Sequence, residues 1–126
     1  MADLPPYAEL LRLRTDEVAD GELQFVMPWH DDVMGRPQFL HGGAIAGLLE
    51  FAAFGTLRRA LGDDAVVTKP VTVTVNYMLG GRDRETFAVA VIERLGRTIA
   101  NVEAVAWQDS RNTPIASARI NFLLER

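Results

Sequence analysis

The segment that most constrains the fold is HGGAIAGLLEFAAFGTLRRAL, residues 41–61. From residue 44 to residue 57 nearly every side chain is apolar or small, and a helix that is apolar on all sides is normally buried. Gly62 follows directly as a helix stop signal. The segment therefore predicts one long helix, over about residues 42–61, at the centre of the fold.

One residue interrupts this apolar pattern. Glu50 lies near the middle of the predicted helix, and its neighbours one turn away on the same helix carry no base. An unpaired carboxylate in an apolar interior costs several kcal/mol unless it is protonated, bridged or put to use. Glu50 is therefore a candidate catalytic residue. The alternative is a structural carboxylate, paired with a base from a strand or from a second subunit.

Gly42 and Gly43 form the start of the helix. The first N–H groups of a helix lack partners within it, and the helix dipole is positive there. Because glycine carries no side chain, a substrate oxygen can approach these N–H groups closely. The pair predicts an anion-stabilising helix tip, and close helix packing is the alternative explanation.

Gly42 and Glu50 lie too far apart to act together within one chain. Eight residues separate them, which is about 12 Å along a helix axis. The Glu50 side chain leans toward the helix N-terminus but falls short of it. If both residues act on one substrate, they most simply come from two copies of the chain, so we expect a homodimer with shared sites.

Composition narrows the class of protein. At 126 residues the chain is long enough for one domain with its own core, which we expect to span residues 1–126. The hydrophobic fraction of 48% excludes a disordered chain, and the net charge of −4 argues against nucleic-acid binding. No apolar run reaches the roughly 18 residues of a membrane span. The first residues lack a signal-peptide pattern, so a cytoplasmic location is expected.

Metal and thiol chemistry are not expected. The chain has no cysteine, so it offers neither a thiol nucleophile nor a thiolate metal site. His30, Asp31, Asp32 and His41 show no metal-ligand spacing, and we interpret residues 28–40 as a solvated loop leading into the helix.

Strand-like patterns surround the central helix. Before it, a short helix is predicted near residues 5–13, and Asp20-Gly21 is a hairpin turn signal between strands at 13–18 and 22–27. After it, residues 71–79 alternate apolar and polar side chains, as a half-buried strand does. Further strands are predicted around residues 87–91, 99–107 and 115–124. Short turns between consecutive strands favour an antiparallel meander, so the fold class is α+β, with a sheet curled around one helix.

Four motifs after residue 35 carry a family resemblance. They are HGGAIAGLLE at 41–50, VTVTVNYML at 71–79, LGRTIANVEAVAW at 95–107 and IASARINFLL at 115–124. In order and spacing the chain resembles the hot-dog fold acyl-CoA thioesterases of the PaaI-like type, in the 4-hydroxybenzoyl-CoA thioesterase superfamily. The resemblance implies an antiparallel sheet of five to six strands wrapped around one long helix. It also implies a dimer or dimer of dimers that hydrolyses an acyl-CoA, with no cofactor beyond the CoA of the substrate.

The resemblance also assigns catalytic roles. The N–H of Gly42, together with that of Gly43, would polarise the thioester carbonyl. Glu50 of the partner subunit would supply the catalytic carboxylate. It would act as a general base on water or as a nucleophile. His41 is expected to orient the helix mouth through a hydrogen bond rather than to transfer protons.

Substrate contacts are expected near this helix tip. Arg82, Arg84 and Arg97 are candidates for the CoA phosphates, because arginine suits phosphate recognition, and a solvated turn is the alternative for each. Phe54 is a candidate for the acyl pocket, as are three other aromatic residues: Trp29, Phe39 and Phe51. Core packing is an equally good explanation for each of them.

Two helper positions depart from the family pattern. Gly35 stands where many relatives carry Asn or Gln six residues before the histidine, and Gln38 is the nearest amide. Tyr77 and Leu79 are expected to contact the substrate, and Leu79 stands where some relatives carry a hydroxyl. These departures keep open a non-catalytic acyl-CoA binding or sensing module. A hydratase of the same superfamily fits less well, because that chemistry usually needs a histidine paired with an aspartate.

Overall fold

The computed structural model describes residues 4–63 and 65–126. Its helices are α1 (Pro6–Leu10) and α2 (Gly42–Leu61), and its strands are β1 (Arg14–Glu17), β2 (Leu23–Met27), β3 (Val67–Tyr77), β4 (Thr86–Leu95), β5 (Ile99–Trp107) and β6 (Ala116–Glu125). Two 3-10 turns, Ala19–Gly21 and Asp31–Val33, lie in the connections.

The long helix begins and ends where the sequence predicts. At its C-terminus Gly62 adopts the left-handed conformation (φ 64°), and its N–H donates to the carbonyl oxygen of Arg58 across 3.1 Å. Glycine is favoured at this position because it has no Cβ to clash. Arg59 then ties the helix end to the first hairpin by donating to the Gly21 carbonyl oxygen across 2.6 Å.

The predicted hairpin at Asp20-Gly21 is confirmed. Both residues have positive φ, 66° and 72°, as a tight turn between twisted strands requires. β1 and β2 pair antiparallel on either side of this turn. Asp20 tolerates the left-handed region because its short polar side chain can bond locally.

The sheet has six antiparallel strands in the order β1-β2-β4-β5-β6-β3, so the predicted meander is only partly correct. β4, β5 and β6 are consecutive neighbours, but β3 pairs with β6 at the far edge. The connection after β3 therefore crosses the end of the sheet to reach β4. It is held on the way by hydrogen bonds from the Met78 and Leu79 N–H groups to the Ile115 carbonyl oxygen, 2.8 and 3.1 Å long.

Alanines on the central strands make room for the helix. Ala104 and Ala106 on β5 and Ala116 and Ala118 on β6 are buried on the concave face of the sheet. Small side chains at these alternate positions let α2 approach the sheet closely. Larger residues on either side then close the core, among them Phe25, Leu48, Leu49, Ile120 and Phe122.

β3 differs from its prediction. Residues 71–79 alternate as a half-buried strand would, yet in this single chain Val71, Val73 and Tyr77 are 53%, 42% and 55% exposed. The prediction of a half-buried strand is therefore wrong for one copy. The physical reason is that α2 lies over β4 and β5 and leaves the concave side of β3 largely uncovered.

Candidate active site

The N-terminus of α2 is capped by its own histidine. His41 has extended backbone angles, and its Nδ1 accepts the N–H of Gly43 across 2.9 Å. The carbonyl oxygen of His41 accepts from Ala44 and Ile45, at 3.0 and 3.2 Å. The orienting role expected for His41 thus takes a specific form, a side-chain N-cap.

This cap leaves one donor open. Within residues 4–63 and 65–126, the N–H of Gly42 has no hydrogen-bond acceptor. The Gly43 N–H, predicted to assist it, is already engaged by the His41 ring. Because Gly42 is the first residue of the helix, its N–H points out along the positive end of the helix dipole. The tip therefore offers one well-placed donor for a substrate oxygen.

Tyr77 fixes this tip to the sheet. Its hydroxyl donates to the carbonyl oxygen of Gly42 across 2.8 Å. The ring lies close over the glycine, since a Cβ built on Gly42 would stand 3.4 Å from the Tyr77 hydroxyl oxygen. The end of β3 and the start of α2 are therefore joined at the residue that carries the open donor.

A cleft of about 330 Å³ opens at this junction. Its lining comes from the loop before α2, the first turn of α2 and the segment after β3: Arg36, Phe39, Leu40, Gly42, Ile45, Tyr77, Met78, Leu79, Gly80 and Gly81. Gly81 is needed there, because a Cβ at that position would stand 2.6 Å from Cδ1 of Leu40. Of the predicted site residues, the structure brings Gly42, Tyr77 and Leu79 together in this cleft.

Glu50 is half-buried rather than enclosed, so the expectation of a helix buried on all sides is wrong for one chain. Half-buried positions one turn apart on the middle of the helix include Ala46, Glu50 and Phe54. Residues at this spacing share one face of a helix. Glu50 and Phe54 thus lie on an open face of α2, and Glu50 is about 12 Å from Gly42 along the helix axis.

In the described part of the chain, Glu50 has no hydrogen bond or ion pair. A structural carboxylate would need a base on a neighbouring strand or in a second subunit, and residues 4–63 and 65–126 of a single copy supply none. The alternative of a carboxylate paired within its own chain is therefore not supported. An acid without a partner on an open helix face is available to act on something outside its own chain.

The remaining predicted residues lie away from the cleft lining. Gln38 is exposed and has a positive φ of 68°. Arg84 forms an ion pair with Asp109, with 3.2 Å between nitrogen and oxygen. Arg97 is exposed in the turn between β4 and β5, where its carbonyl oxygen accepts from Arg126.

Gly35, which stands in place of the family's amide, packs closely against the backbone at the helix tip. A Cβ at this position would stand 3.0 Å from Cα of His41. A side chain here would therefore require the loop backbone to shift by a few tenths of an ångström.

Sequence reasoning missed two features near the site. The sequence suggests Phe39 only as a possible acyl-pocket residue, yet the guanidinium carbons of Arg36 and Arg82 lie 4.1 and 4.5 Å from its ring centroid. The second feature is Gln108, whose side chain accepts from the N–H of Arg82 across 2.8 Å and donates to the Arg82 carbonyl oxygen across 3.0 Å. The Arg-Pro-Gln-Phe run at residues 36–39 was a visible signal for a turn, whereas the long-range contacts of Gln108 left no local signal.

Neither a metal site nor a membrane helix is found in residues 4–63 and 65–126. No group of three His, Cys, Asp or Glu side chains there is arranged to hold an ion. His30 is instead buried, and its Nε2 donates to the Leu11 carbonyl oxygen across 3.1 Å. None of the helices described is both long and apolar enough to cross a membrane.

Comparison with known proteins identifies the family. The family model of the thioesterase superfamily matches residues 37–115, which include the helix tip, Glu50 and strands β3, β4 and β5. The chain therefore belongs to the thioesterase superfamily. Comparison with curated proteins finds no match.

Solved structures confirm the hot-dog fold expected from the resemblance. A protein from Bacillus halodurans, solved with CoA, superposes with a TM-score of 0.89 at 24% identity, over 100% of this chain and 82% of that one. A protein from Chromobacterium violaceum is 34% identical, with a TM-score of 0.77 over 96% of this chain and 84% of its own. A mutant thioesterase from Pseudomonas aeruginosa is 27% identical, with a TM-score of 0.79 over 94% and 84%.

Proposed function

We propose that the protein is an acyl-CoA thioesterase that hydrolyses a small or medium acyl- or aryl-acyl-CoA to the free acid and CoA. The observation that carries this proposal is the open N–H of Gly42 at the cleft, combined with the unpaired Glu50 on the same helix. Membership of the thioesterase superfamily supports the reaction class. The CoA held by the B. halodurans protein supports CoA as the thiol half of the substrate.

In the proposed reaction the thioester carbonyl oxygen accepts the N–H of Gly42. As the carbonyl carbon becomes tetrahedral, negative charge collects on that oxygen, and the helix dipole stabilises it. Removing an oxyanion donor of this kind raises the activation free energy by about 2.7–4 kcal/mol. The tip therefore supplies a large part of the rate enhancement without any side-chain nucleophile.

Glu50 supplies the proton chemistry. Its carboxylate takes a proton from a water molecule, and the resulting hydroxide attacks the carbonyl carbon. The carbon–sulfur bond then breaks, and the thiolate of CoA leaves with the proton returned through Glu50 or solvent. In the variant pathway Glu50 itself attacks and forms an anhydride, which water then opens. Thiolate is a good leaving group, so either pathway proceeds without a Ser or Cys triad.

The reacting groups come from two copies of the chain in this proposal. Glu50 is about 12 Å from its own Gly42 on one continuous helix, so it cannot reach a carbonyl held there. A second copy brings its own Glu50, and a two-fold contact builds two equivalent sites. The dimer can pair further into a dimer of dimers.

β3 is the proposed dimer surface. It is an edge strand of the sheet, and Val71, Val73 and Tyr77 expose apolar surface there. A long edge with exposed apolar side chains favours pairing with another chain. A bulge between Pro70 and Thr72 interrupts the first half of this edge, so the regular part available for pairing is residues 72–77.

The test is thiol release from a panel of acyl-CoAs, with Glu50→Gln, Glu50→Ala and the exposed Glu9→Gln as a matched control. We expect both Glu50 variants to lose most turnover and Glu9→Gln to retain it. Near wild-type turnover in both Glu50 variants would remove the proposed base.

A second candidate is a non-catalytic acyl-CoA binding or sensing protein on the same fold. The observation that favours it is the absence of the two helper groups, since Gly35 carries no amide and Leu79 carries no hydroxyl. Tight acyl-CoA binding without any thiol release from the panel would identify it.

A further inference from the structure

Helix α1 packs against the middle of α2, one turn before Glu50. A Cβ built on Gly47 would stand 2.9 Å from Cε2 of Tyr7 and 3.1 Å from Cδ1 of Leu11. A methyl group fits at that distance only if the tyrosine ring moves, so the missing side chain of Gly47 lets the ring lie directly on the helix. Gly47 therefore leaves a notch in the surface of α2, and the Tyr7 ring fills it.

The backbone that carries Tyr7 is held in place. Ala8 and Leu11 are buried on either side of the helix end. The Leu13 N–H donates to the Ala8 carbonyl oxygen across 3.1 Å, and Nε2 of the buried His30 donates to the Leu11 carbonyl oxygen across the same distance. The ring thus stands at a defined place over α2, although α1 itself has only five residues.

Core packing accounts for only part of the Tyr7 side chain. The ring meets that of Phe51 with 6.2 Å between centroids and 39° between planes, within the usual range of an aromatic pair. Tyr7 nevertheless stays 45% exposed, and its hydroxyl forms no hydrogen bond within residues 4–63 and 65–126. The rest of the ring is a rigid surface that a ligand can contact.

This surface lies beside the proposed base. Gly47 and Glu50 are three residues apart on one helix, so they are neighbours on its surface. The Glu50 side chain leans toward the N-terminus of α2, over the turn that contains Gly47. The helix is nearly bare there, because Ala46 and Gly47 carry only a methyl group and a hydrogen atom. A group that passes Glu50 along this bare surface meets the Tyr7 ring.

The other direction along the helix is already occupied. Phe54 lies one turn after Glu50 on the same open face and is half-buried. Its ring bounds the space on that side of the carboxylate. The free space next to the base therefore extends over Ala46 and Gly47, and Tyr7 determines how far it reaches.

We propose that Tyr7 is a specificity-determining residue: its ring, seated in the notch at Gly47, ends the acyl pocket and selects compact acyl groups, such as an aromatic ring or a short chain. This inference rests on the proposed function, since it places the reacting carbonyl beside Glu50. Tyr7 contacts the far end of the acyl group in this proposal and leaves the reacting atoms to the other residues.

The experiment measures kcat/KM for benzoyl-CoA and for straight-chain acyl-CoAs from butanoyl to palmitoyl. Tyr7→Ala opens the notch and should raise kcat/KM for the long esters about tenfold relative to butanoyl-CoA, because added methylenes then find an apolar site. Tyr7→Phe keeps the ring and should keep the wild-type preference for length. Leu10→Ala is the matched control, since Leu10 is 48% exposed on the same helix and supplies none of the atoms nearest to Gly47.

Gly47→Ala tests the notch without removing the ring. The new methyl group and the displaced Tyr7 ring both take up space over the helix, so the long esters should lose kcat/KM relative to butanoyl-CoA. Tyr7→Ala and Gly47→Ala thus shift the preference in opposite directions, which a general loosening of α1 does not do. The proposal is overturned if Tyr7→Ala keeps the wild-type preference for length, or if Leu10→Ala changes it as much.

Calorimetric titration with alkyl-CoA thioethers separates this inference from the proposed function, because a thioether has no carbonyl to hydrolyse. If no thioester is hydrolysed but Tyr7→Ala gains about tenfold in affinity for long over short thioethers, Tyr7 limits the pocket and the catalytic proposal fails. If thioesters are hydrolysed and Tyr7→Ala selects lengths as the wild type does, the catalytic proposal stands and the role of Tyr7 is rejected.

Discussion

The Tyr77 hydroxyl donates to the carbonyl oxygen of Gly42 across 2.8 Å and so joins the exposed edge strand to the first residue of the central helix. This bond holds the residue that carries the open donor, although it does not touch that donor itself. Tyr77 is thus a positioning residue for the proposed oxyanion site.

Tyr77→Phe keeps the ring and removes only the hydroxyl. We expect kcat to fall several-fold with little change in KM, because the donor loses its fixed position. The free energy of unfolding should fall by about 0.5–1.5 kcal/mol at most, toward the lower end because the side chain is half-exposed. Thiol-release kinetics and urea denaturation measure the two effects. An unchanged kcat would show that the bond is unimportant for the tip.

The effect of the His41 cap on stability can be separated from any effect on turnover. His41→Ala removes the acceptor for the Gly43 N–H and should cost about 1 kcal/mol of stability, as other N-cap deletions do. His41→Asn supplies a good N-cap acceptor in place of the ring and should restore most of that loss. Chemical denaturation follows both variants. If His41→Asn restores stability but not turnover, then His41 takes part in the chemistry beyond capping.

Gly42→Pro tests the open donor directly. Proline lacks an N–H but is tolerated at the first position of a helix, and the extended backbone of His41 (φ −69°, ψ 134°) suits a residue before proline. We expect kcat to fall about 10²–10³-fold, while the unfolding midpoint stays close to that of the wild type. Gly42→Ala keeps the N–H and is the matched control. Comparable turnover in the two variants would rule out the Gly42 N–H as the oxyanion donor.

The shared site can be tested by complementation. Gly42→Pro and Glu50→Gln should each be nearly inactive alone, because every site contains one defect. After the two are unfolded together and refolded, half of the dimers are mixed and each mixed dimer has one intact site, so roughly a quarter of wild-type activity should return. The measurement is thiol release before and after mixing. A mixture as inactive as its parents would place both groups in one chain.

The proposed dimer surface on β3 can be tested by sedimentation of a charged variant. Val73→Lys adds a charge on the concave side of β3, where the single chain leaves 42% of the valine exposed. It should shift the sedimentation coefficient toward that of a monomer without loss of folding. Val91→Lys, at a residue of β4 that is 56% exposed, is the control and should keep the dimer. A Val73→Lys protein that sediments like the wild type would exclude this surface.

Local signals explain why the helix could be predicted to the residue. Glycines mark both ends of α2, and the apolar run between them leaves no other assignment. The first hairpin was equally accessible, because Asp20-Gly21 adopts the two positive φ angles that its turn requires. The family motifs likewise located Gly42 and Glu50 on one helix.

The placement of β3 could not be predicted in this way. A turn signal at Gly80-Gly81 shows that a strand ends, but it does not show where the next strand begins to pair. The connection crosses the sheet because Phe39 and Leu40 pack against those two glycines, and such contacts depend on residues forty positions away. Alternation in residues 71–79 was real, yet a single copy leaves most of the apolar side of this strand uncovered.

The two arginines of the turn after β3 are a second case in which long-range contacts decide what the sequence does not show. Arg82 and Arg84 look equivalent in the sequence, two positions apart in one turn. The structure separates them, because Arg84 is neutralised by Asp109 while Arg82 lies over the Phe39 ring. The ion-pair partner, Asp109, lies in the turn between β5 and β6. The sequence around residue 82 therefore gives no sign of which arginine is paired.

A straight helix cannot bring its own middle to its own beginning. If catalysis needs both Gly42 and Glu50 at one substrate, a monomer is inactive. Turnover per molecule should then fall sharply when the protein is diluted below the dissociation constant of the dimer. The amount of protein in the cell would then set not only how many catalysts there are but whether each of them works.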